Sequence, residues 1–392
     1  MKNPLLKLSA RQMSLAIMKM LFLAFRDPLN PFCGGGDIYI AEIARGCAKR
    51  GHQVTFVSSS YQKSSKEENV NGIRVLRCGN GFTSFARILF LYFRRLRGRF
   101  DVVVEEIIGG QRVPFFSRLY VREPIVGIVQ QRHKEIFRYQ LPFALGLILS
   151  LIEPLFALLY RNRIIVVNSN RTLRDLRKIG FDEKRMRVVH PGIDDEFVSI
   201  PNRDISERTN QVICIAKARR YKLVHHAILA MRNVCEVLPA STLIIAGRSS
   251  DVDRVYEESL RKLADQLGLS GNVLFLKDIS QTQKISLLSE SKALVLPSAV
   301  EGFGIVVIEA NACGTPAIVS DRIPEDVAID GYNALVVQCG AIDVLSRKIL
   351  KLITDSETWA TMSRNAVEWS RQFSWTRTVD KFLENLDDIS TI

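Results

Sequence analysis

The sequence predicts an α/β chain with two parallel-sheet domains, and three observations carry that expectation. Short apolar runs of strand length alternate with stretches of helical period along nearly all 392 residues, as βαβ units require. The rhythm pauses once, at the polar stretch PNRDISERTN (201–210), and then restarts. The length and a hydrophobic content of 47% are enough for two cores.

In the first half the strand candidates are 19–25 (KMLFLAF), 53–58, 73–76, 101–104 (DVVV), 125–129, 163–167 and 187–190. Helical stretches lie at 37–50 and 170–179. The second half gives strands at 211–216, 242–246, 272–276, 293–296, 316–319 and 334–337, with helices at 224–237, 252–267, 281–290 and 304–312. Doubly wound sheets of this kind bind ligands at the carboxyl ends of their strands. The expected division is a basic extension at 1–18, a first domain at 19–200, a second at 201–372 and a closing segment at 373–392.

Charge is unevenly placed. Residues 1–200 hold 32 Lys and Arg against 17 Asp and Glu, whereas 201–392 hold 22 against 24. A first half at +15 calls for a polyanionic partner such as a phosphorylated substrate, anionic headgroups or nucleic acid. Neither an interleaved aromatic-basic strand nor a helix-turn-helix signature is present, so nucleic acid is not expected. The seven cysteines show no CxxC spacing, which argues against a disulfide framework or a zinc knuckle and for a reducing, cytoplasmic compartment.

Three segments bear on membranes. The amino terminus imitates a signal peptide, but Lys19 splits its apolar run and no small-residue cleavage site follows Phe25. Residues 141–160 (LPFALGLILSLIEPLFALLY) are long enough to span a bilayer at about 20 residues. Glu153 and Pro154 oppose that reading, since a mid-membrane carboxylate costs roughly 2.5–3.5 kcal/mol. The segment is expected in the domain core, with a membrane-surface position as the alternative. Residues 85–97 place Phe85, Ile88, Leu89, Tyr92 and Leu96 at helical spacing, with Arg94, Arg95, Arg97 and Arg99 clustered at the end, which suits either a basic amphipathic helix or an ordinary surface helix with solvated arginines.

The sharpest constellation is PSAVEGFGIVVIEANACGTP at 297–316. A buried strand ends at Pro297, a glycine-bearing loop follows, and a helix begins near Gly304, where backbone amides and the dipole favour phosphate. Gly302 and Gly304 permit close approach, and Glu301 and Glu309 can face one ligand. A carboxylate accepting two hydrogen bonds side by side suits a vicinal diol. Gly34, Gly35 and Gly36 form a second glycine loop between a strand and a helix.

EGFGIVVIE, continued by ACGTPAIVSD and DGYNALV, resembles the Glu-x7-Glu donor-site element of the retaining glycosyltransferases of family 4, which have the GT-B fold. GGGDIYIAEIARGCAKRGHQVTFVS (34–58), VVNSNRTLRDLRKIGFDEKRMRVVHPGID (166–194) and FSWTRTVDKFLENL (373–386) are similar to that family's first glycine loop, the end of its first domain and its closing helix. The resemblance implies two Rossmann-like domains facing a cleft, the last helix crossing back to the first domain. It implies that Glu309 holds the ribose of a nucleotide-sugar, and that Glu301 with the amides of Gly302, Phe303 and Gly304 contacts the donor sugar. Lys217 stands where the family has an Arg and Lys222 keeps its Lys, both toward the diphosphate, while Ala216 and Leu223 replace glycines. Gly35 and Gly36 would meet the phosphates from the first domain. Gln130 stands where many members have a sugar-contacting His, with Gln131 adjacent and His133 beyond.

The activity so implied is transfer of a sugar, with retention, from a nucleotide-sugar to an acceptor held by the basic first domain. A lipid-linked sugar or glycolipid at the cytoplasmic membrane face is the expected acceptor. No metal or cofactor is expected, because Lys217, Lys222 and the dipole at 304 would meet the diphosphate charge. Asp251 and Asp253 match a manganese-binding DxD but open a helix, so they read as caps. His52 reads as structural, and His225 and His226, adjacent on a helix, as unable to share a face. A nucleotide-sugar epimerase or hydrolase of the same fold is the alternative.

Overall fold

The computed structural model describes residues 17–81, 83–108, 114–199, 203–247 and 254–386. They form two compact units. The first comprises the described residues up to Phe137, then Phe143–Gly192 and those from Trp375 on, and the second comprises Arg138–Pro142 and Ile193–Ser374. The expected boundary at 200/201 therefore lies too late. Ile193 pairs with Ser374 in a parallel bridge and Phe197 is fully buried in the second unit's core, so 193–199 belong there.

The first unit contains β1 (Lys19–Leu23), α1 (Gly35–Lys49), β2 (Gln53–Ser58), β3 (Glu67–Val70), β4 (Ile73–Arg77) and α2 (Thr83–Leu91), the last running into a π-helical turn, Tyr92–Leu96. Then come β5 (Val102–Ile108), β6 (Ile125–Val129), α3 (Lys134–Gln140, counted with the second unit from Arg138 on), α4 (Phe143–Tyr160), β7 (Ile164–Val167), α5 (Asn170–Arg177), β8 (Met186–Val188) and, far along the chain, α13 (Trp375–Glu384). The sheet order is β3-β4-β2-β1-β5-β6-β7-β8. Every pairing is parallel except β3 with β4. That hairpin is absent from the sequence expectation because EENV is polar; Asn71 and Gly72 both have positive φ, 52° and 83°, as a tight two-residue turn needs.

Alternation along β5 shows how the sheet divides two cores. Val102 and Val104 pack with α1 and α13, whereas Val103 and Ile107 pack with α2, α4 and α5. On the first face α13 lies directly on α1: a Cβ at Gly46 would come within 2.2 Å of Val379, and the Arg50 guanidinium reaches the Thr376 carbonyl and pairs with Asp380.

The second unit contains α6 (Asp195–Val198), β9 (Thr209–Ile215), α7 (Val224–Val237), β10 (Thr242–Gly247), α8 (Arg254–Gln266), β11 (Val273–Lys277), α9 (Gln281–Glu290) and β12 (Ser291–Leu296). α10 (Ile305–Ala312), β13 (Ala317–Ser320), β14 (Ala334–Val337), α11 (Ile342–Thr354) and α12 (Ser356–Ser370) complete it. The sheet runs β11-β10-β9-β12-β13-β14, all parallel. Arg208 is buried at the head of β9, donating to the carbonyls of Ser291 and Cys313 (2.9 and 2.8 Å) with its guanidinium 4.8 Å over Trp359. Burial brings it down to about 10. It ties β9, β12 and the end of α10 together.

Three expectations change. β5 continues through Glu105 and Glu106, both fully buried, where the sequence reading stops at Val104. Over 85–97 the π-helical turn rotates the face: Ile88, Tyr92 and Leu96 go inward, but Leu89, Phe90 and Phe93 are exposed. The 141–160 segment is only half core. Gly146, Glu153, Phe156, Ala157 and Tyr160 face inward from α4, while the leucine-rich opposite face is uncovered. Glu153 accepts the backbone amides of His133 and Lys134 at 2.6 and 3.0 Å and pairs with Arg132 at 3.2 Å, so it caps α3. All seven cysteines are free thiols.

Candidate functional site

In the second unit β12 lies between β9 and β13, and its carboxyl end delivers the chain into the Pro297–Gly304 loop. Gly304 caps α10 at φ 97°, a left-handed conformation in which a side chain would be strained. A Cβ would find 3.6 Å of clearance there, so the backbone angle rather than crowding demands glycine. The Phe303 ring is buried against Phe373, centroids 5.8 Å apart, and anchors the loop from below. What Phe303 offers a ligand is therefore backbone, not ring.

The loop and helix bring two carboxylates to this edge, and each meets a lysine. Lys222, from the turn after β9, reaches Glu301 at 2.5 Å, with both side chains mostly buried. Burial alone would lower the Lys222 ammonium, but the neighbouring Glu301 carboxylate outweighs it and the pKa is raised. Glu309, 8% exposed on α10, pairs with Lys284 of α9, whose ammonium also lies 5.4 Å over the Phe197 ring. Lys284 is a residue of this candidate site that sequence reasoning missed, since QTQKISLLSE reads as an ordinary amphipathic helix.

Lys217 is half-buried in the same turn as Lys222, and its carbonyl accepts the Arg219 amide at 2.7 Å. Ala216 extends the ladder by donating to the Ala246 carbonyl, and Gly247 has to be small there, because a Cβ would sit 2.2 Å from the Ala216 oxygen. Behind the lysines, His225 and His226 do meet: their rings pack edge to face at 4.4 Å despite adjacency on α7. His225 accepts or donates to the Tyr256 hydroxyl at 2.8 Å, and burial with His226 and Arg220 nearby brings it down to about 4. It is neutral at physiological pH.

Below α10, Asn311 and Asn333 lock the helix to the loop before β14. Asn333 donates to the Asn311 side-chain oxygen and to the Val327 carbonyl, and its own side-chain oxygen accepts the Ile329 amide. The DGYNALV segment thus has a mechanical purpose: its asparagine holds the helix that carries Glu309.

In the first unit, Gln130 at the end of β6 is buried and its amide donates to the Gly36 carbonyl (2.9 Å) and to Glu106 (3.2 Å). A Cβ at Gly36 would lie 2.4 Å from the Gln130 side-chain oxygen, so a larger residue there would displace the Gln130 amide from its present position. Gly34 and Gly35 begin α1, where Asp37 accepts the Gly34 amide at 2.7 Å and pairs with Arg26 at 3.3 Å. The start of α1 already holds a carboxylate, which weakens it as a place for phosphate. His133 is buried edge to face with Phe137, and His52 accepts the Met18 amide at 3.2 Å.

Among the described residues no cluster of three or more His, Cys, Asp or Glu is arranged to hold a metal ion. Asp251 and Asp253 lie outside the described residues.

Two families match the chain in succession. The one described as Glycosyltransferase Family 4 covers residues 33–197, and Glycosyl transferases group 1 covers 196–369. A D-inositol 3-phosphate glycosyltransferase of Mycolicibacterium smegmatis is 32% identical over 227 residues, 56% of this chain and 51% of that protein. The chain thus spans about half the length of the curated relatives it matches. Among solved structures, HepE of Anabaena in complex with UDP and glucose superposes with a TM-score of 0.75 at 19% identity, covering 94% of this chain and 99% of that one. Sucrose-phosphate synthase of Thermosynechococcus elongatus gives 0.77 at 17% identity, covering 93% and 97%.

Proposed function

Since the chain belongs to glycosyltransferase family 4 and has the GT-B fold, we propose that it transfers a sugar from a nucleotide-sugar to an acceptor hydroxyl, with retention at the anomeric carbon. The observation that carries this reading is the pair of lysine-carboxylate contacts at the end of β12, Lys222 with Glu301 and Lys284 with Glu309. In this reading Glu309 receives the ribose diol, and Glu301 with the backbone of Gly302, Phe303 and Gly304 receives the donor sugar. Lys222 and Lys217 face the diphosphate. As the bond from the anomeric carbon to the diphosphate breaks, negative charge grows on the leaving oxygens, and preorganised cations stabilise it without reorganising. The acceptor oxygen bonds to the same face of that carbon, and its proton passes to the leaving phosphate.

The raised Lys222 pKa supports this role, because a lysine kept charged by Glu301 is a cation at every physiological pH. The HepE complex with UDP and glucose supports a uridine nucleotide as the first donor to try. The acceptor is read as a lipid-linked sugar or glycolipid on the cytoplasmic membrane face, in keeping with the +15 first half. In the first unit Gln130 acts as a positioning residue that holds Gly36.

The test is a thermal-shift screen of nucleotide-sugars followed by product analysis of the anomeric configuration. A ligand at 100 times its dissociation constant should stabilise by about 2.7 kcal/mol. An inverted product would overturn retention, and donor turnover indifferent to any acceptor would favour hydrolysis.

A further inference from the structure

We propose that the outer face of α4, together with the exposed phenylalanines at the end of α2, is the surface on which this chain docks to an anionic lipid layer. The proposal rests on the reading of a lipid-linked acceptor and deepens it by assigning the surface.

Leu147, Ile148, Leu151, Leu155 and Leu158 are 49–69% exposed along one side of α4. A monomer rarely leaves so many large apolar side chains contiguous and uncovered. That side carries no charge, because Glu153, the only Asp, Glu, Lys, Arg or His of the helix, is turned inward onto the α3 amides. Phe90 and Phe93 are 64% and 49% exposed, with the Arg94 guanidinium 5.8 Å over one ring and Arg97 5.4 Å over the other. The buried sides of α2, its π-helical turn and α4 all enter the same core, on the same face of the first unit's sheet. Their remaining apolar residues therefore point away from that sheet together.

Charge selects the occupant. Arg94, Arg95 and Arg97 at one helix and Arg161 just after α4 are exposed beside the apolar residues. A second copy related by a two-fold axis would bring like patches together and set these arginines against their own copies. Anionic headgroups complement them, while the leucines and phenylalanines enter the acyl boundary, the arrangement of a helix lying in the interface. α4 is long and apolar enough to cross a membrane. Its inward Glu153, Phe156 and Tyr160 are instead packed into the protein, which leaves the outer face alone for lipid.

The test is co-sedimentation of the full chain with phosphatidylcholine vesicles and with phosphatidylcholine–phosphatidylglycerol vesicles, at low and high salt. The parent should bind the anionic vesicles preferentially. Leu151→Gln with Leu155→Gln should weaken binding about tenfold or more at both salt levels, because it removes apolar insertion. Arg94→Gln with Arg97→Gln should weaken it only at low salt. All are surface changes, and unchanged melting curves would show the fold intact. Absence of parent binding to either vesicle type, or equal binding by the leucine variant, would overturn the proposal. A lipid-free dimer that the leucine variant dissociates would also overturn it, by assigning the face to a second copy. Sugar transfer to a water-soluble acceptor, measured on the same proteins, separates the two readings. If it persists in the leucine variant while vesicle binding is lost, docking and chemistry are distinct and both stand. If the parent binds vesicles but transfers to no acceptor, the surface stands and the reaction falls.

Discussion

Buried glutamates are treated in opposite ways by the two units. In the second, Glu301 and Glu309 sit near the carboxyl edge of the sheet, each against a lysine. In the first, Glu105 lies within β5 and meets the hydroxyls of Ser117 and Tyr160. Burial pushes the Glu105 carboxyl up to about 7 against hydrogen bonds that favour the anion. A carboxylate paired with a cation can exchange that cation for a ligand. One buried without a cation holds its proton to higher pH and serves packing.

Replacing Lys222 with Met tests the first half of that contrast most severely. It removes a cation from the developing diphosphate and strands Glu301, so kcat should fall about 10²–10³-fold. A steady-state assay in which only KM moved would reassign Lys222 to ground-state binding.

Glu105→Gln tests the other half. The folded pKa is raised above that of the unfolded chain, so the stability linked to protonation is full below about 4.5 and is lost as pH rises through about 7. At roughly 1.4 kcal/mol per pKa unit this is on the order of 3 kcal/mol. The parent should lose melting temperature between pH 5 and pH 8, and the Gln variant should lose much less. Parallel melting profiles would mean that Glu105 is charged after all.

Glu309→Ala should cost about 1.5–3 kcal/mol of donor affinity by calorimetry, the worth of a charged hydrogen-bonding pair, with the fold intact. Unchanged affinity would make the Lys284–Glu309 pair structural, and the contrast between the units would shrink to one residue. The smallest expected effect is none: excess chelator should leave the transfer rate unchanged, since the second unit brings its own cations. Loss of transfer restored by manganese, and mimicked by Asp253→Ala, would return the DxD to the site.

What was legible in the sequence was what depends on local pattern. The glycine loop at 302–304 and the apolar strands declare themselves by periodicity and by a conformation that glycine best tolerates. Glu105 and Glu106 were illegible because two adjacent carboxylates ordinarily end a strand, and partners such as Ser117, Tyr160 and Gln130, brought in from elsewhere, let β5 continue. Lys284 was illegible for the same reason, since its significance comes from Glu309 on another helix. The apolar pattern of 141–160 told the truth about composition and misled about burial, because a helix leucine-rich all round does not say which side is covered. The β3–β4 hairpin had a local signal, Asn71-Gly72 between Val70 and Ile73, but the polar EENV hid its first strand.

Gly46 has a consequence for how the chain is made. Because α13 beds against it, and Val379, Phe382 and Leu386 fill the core over β1 and β5, the first unit is interrupted in sequence by nearly the whole of the second. During synthesis the inserted unit has all of its strands once Val337 has emerged, whereas its host still lacks a wall. Domains generally complete in the order they leave the ribosome. Here the order reverses, and a fragment cut at residue 200 would expose Tyr39, Ile43 and Phe22 where α13 should lie.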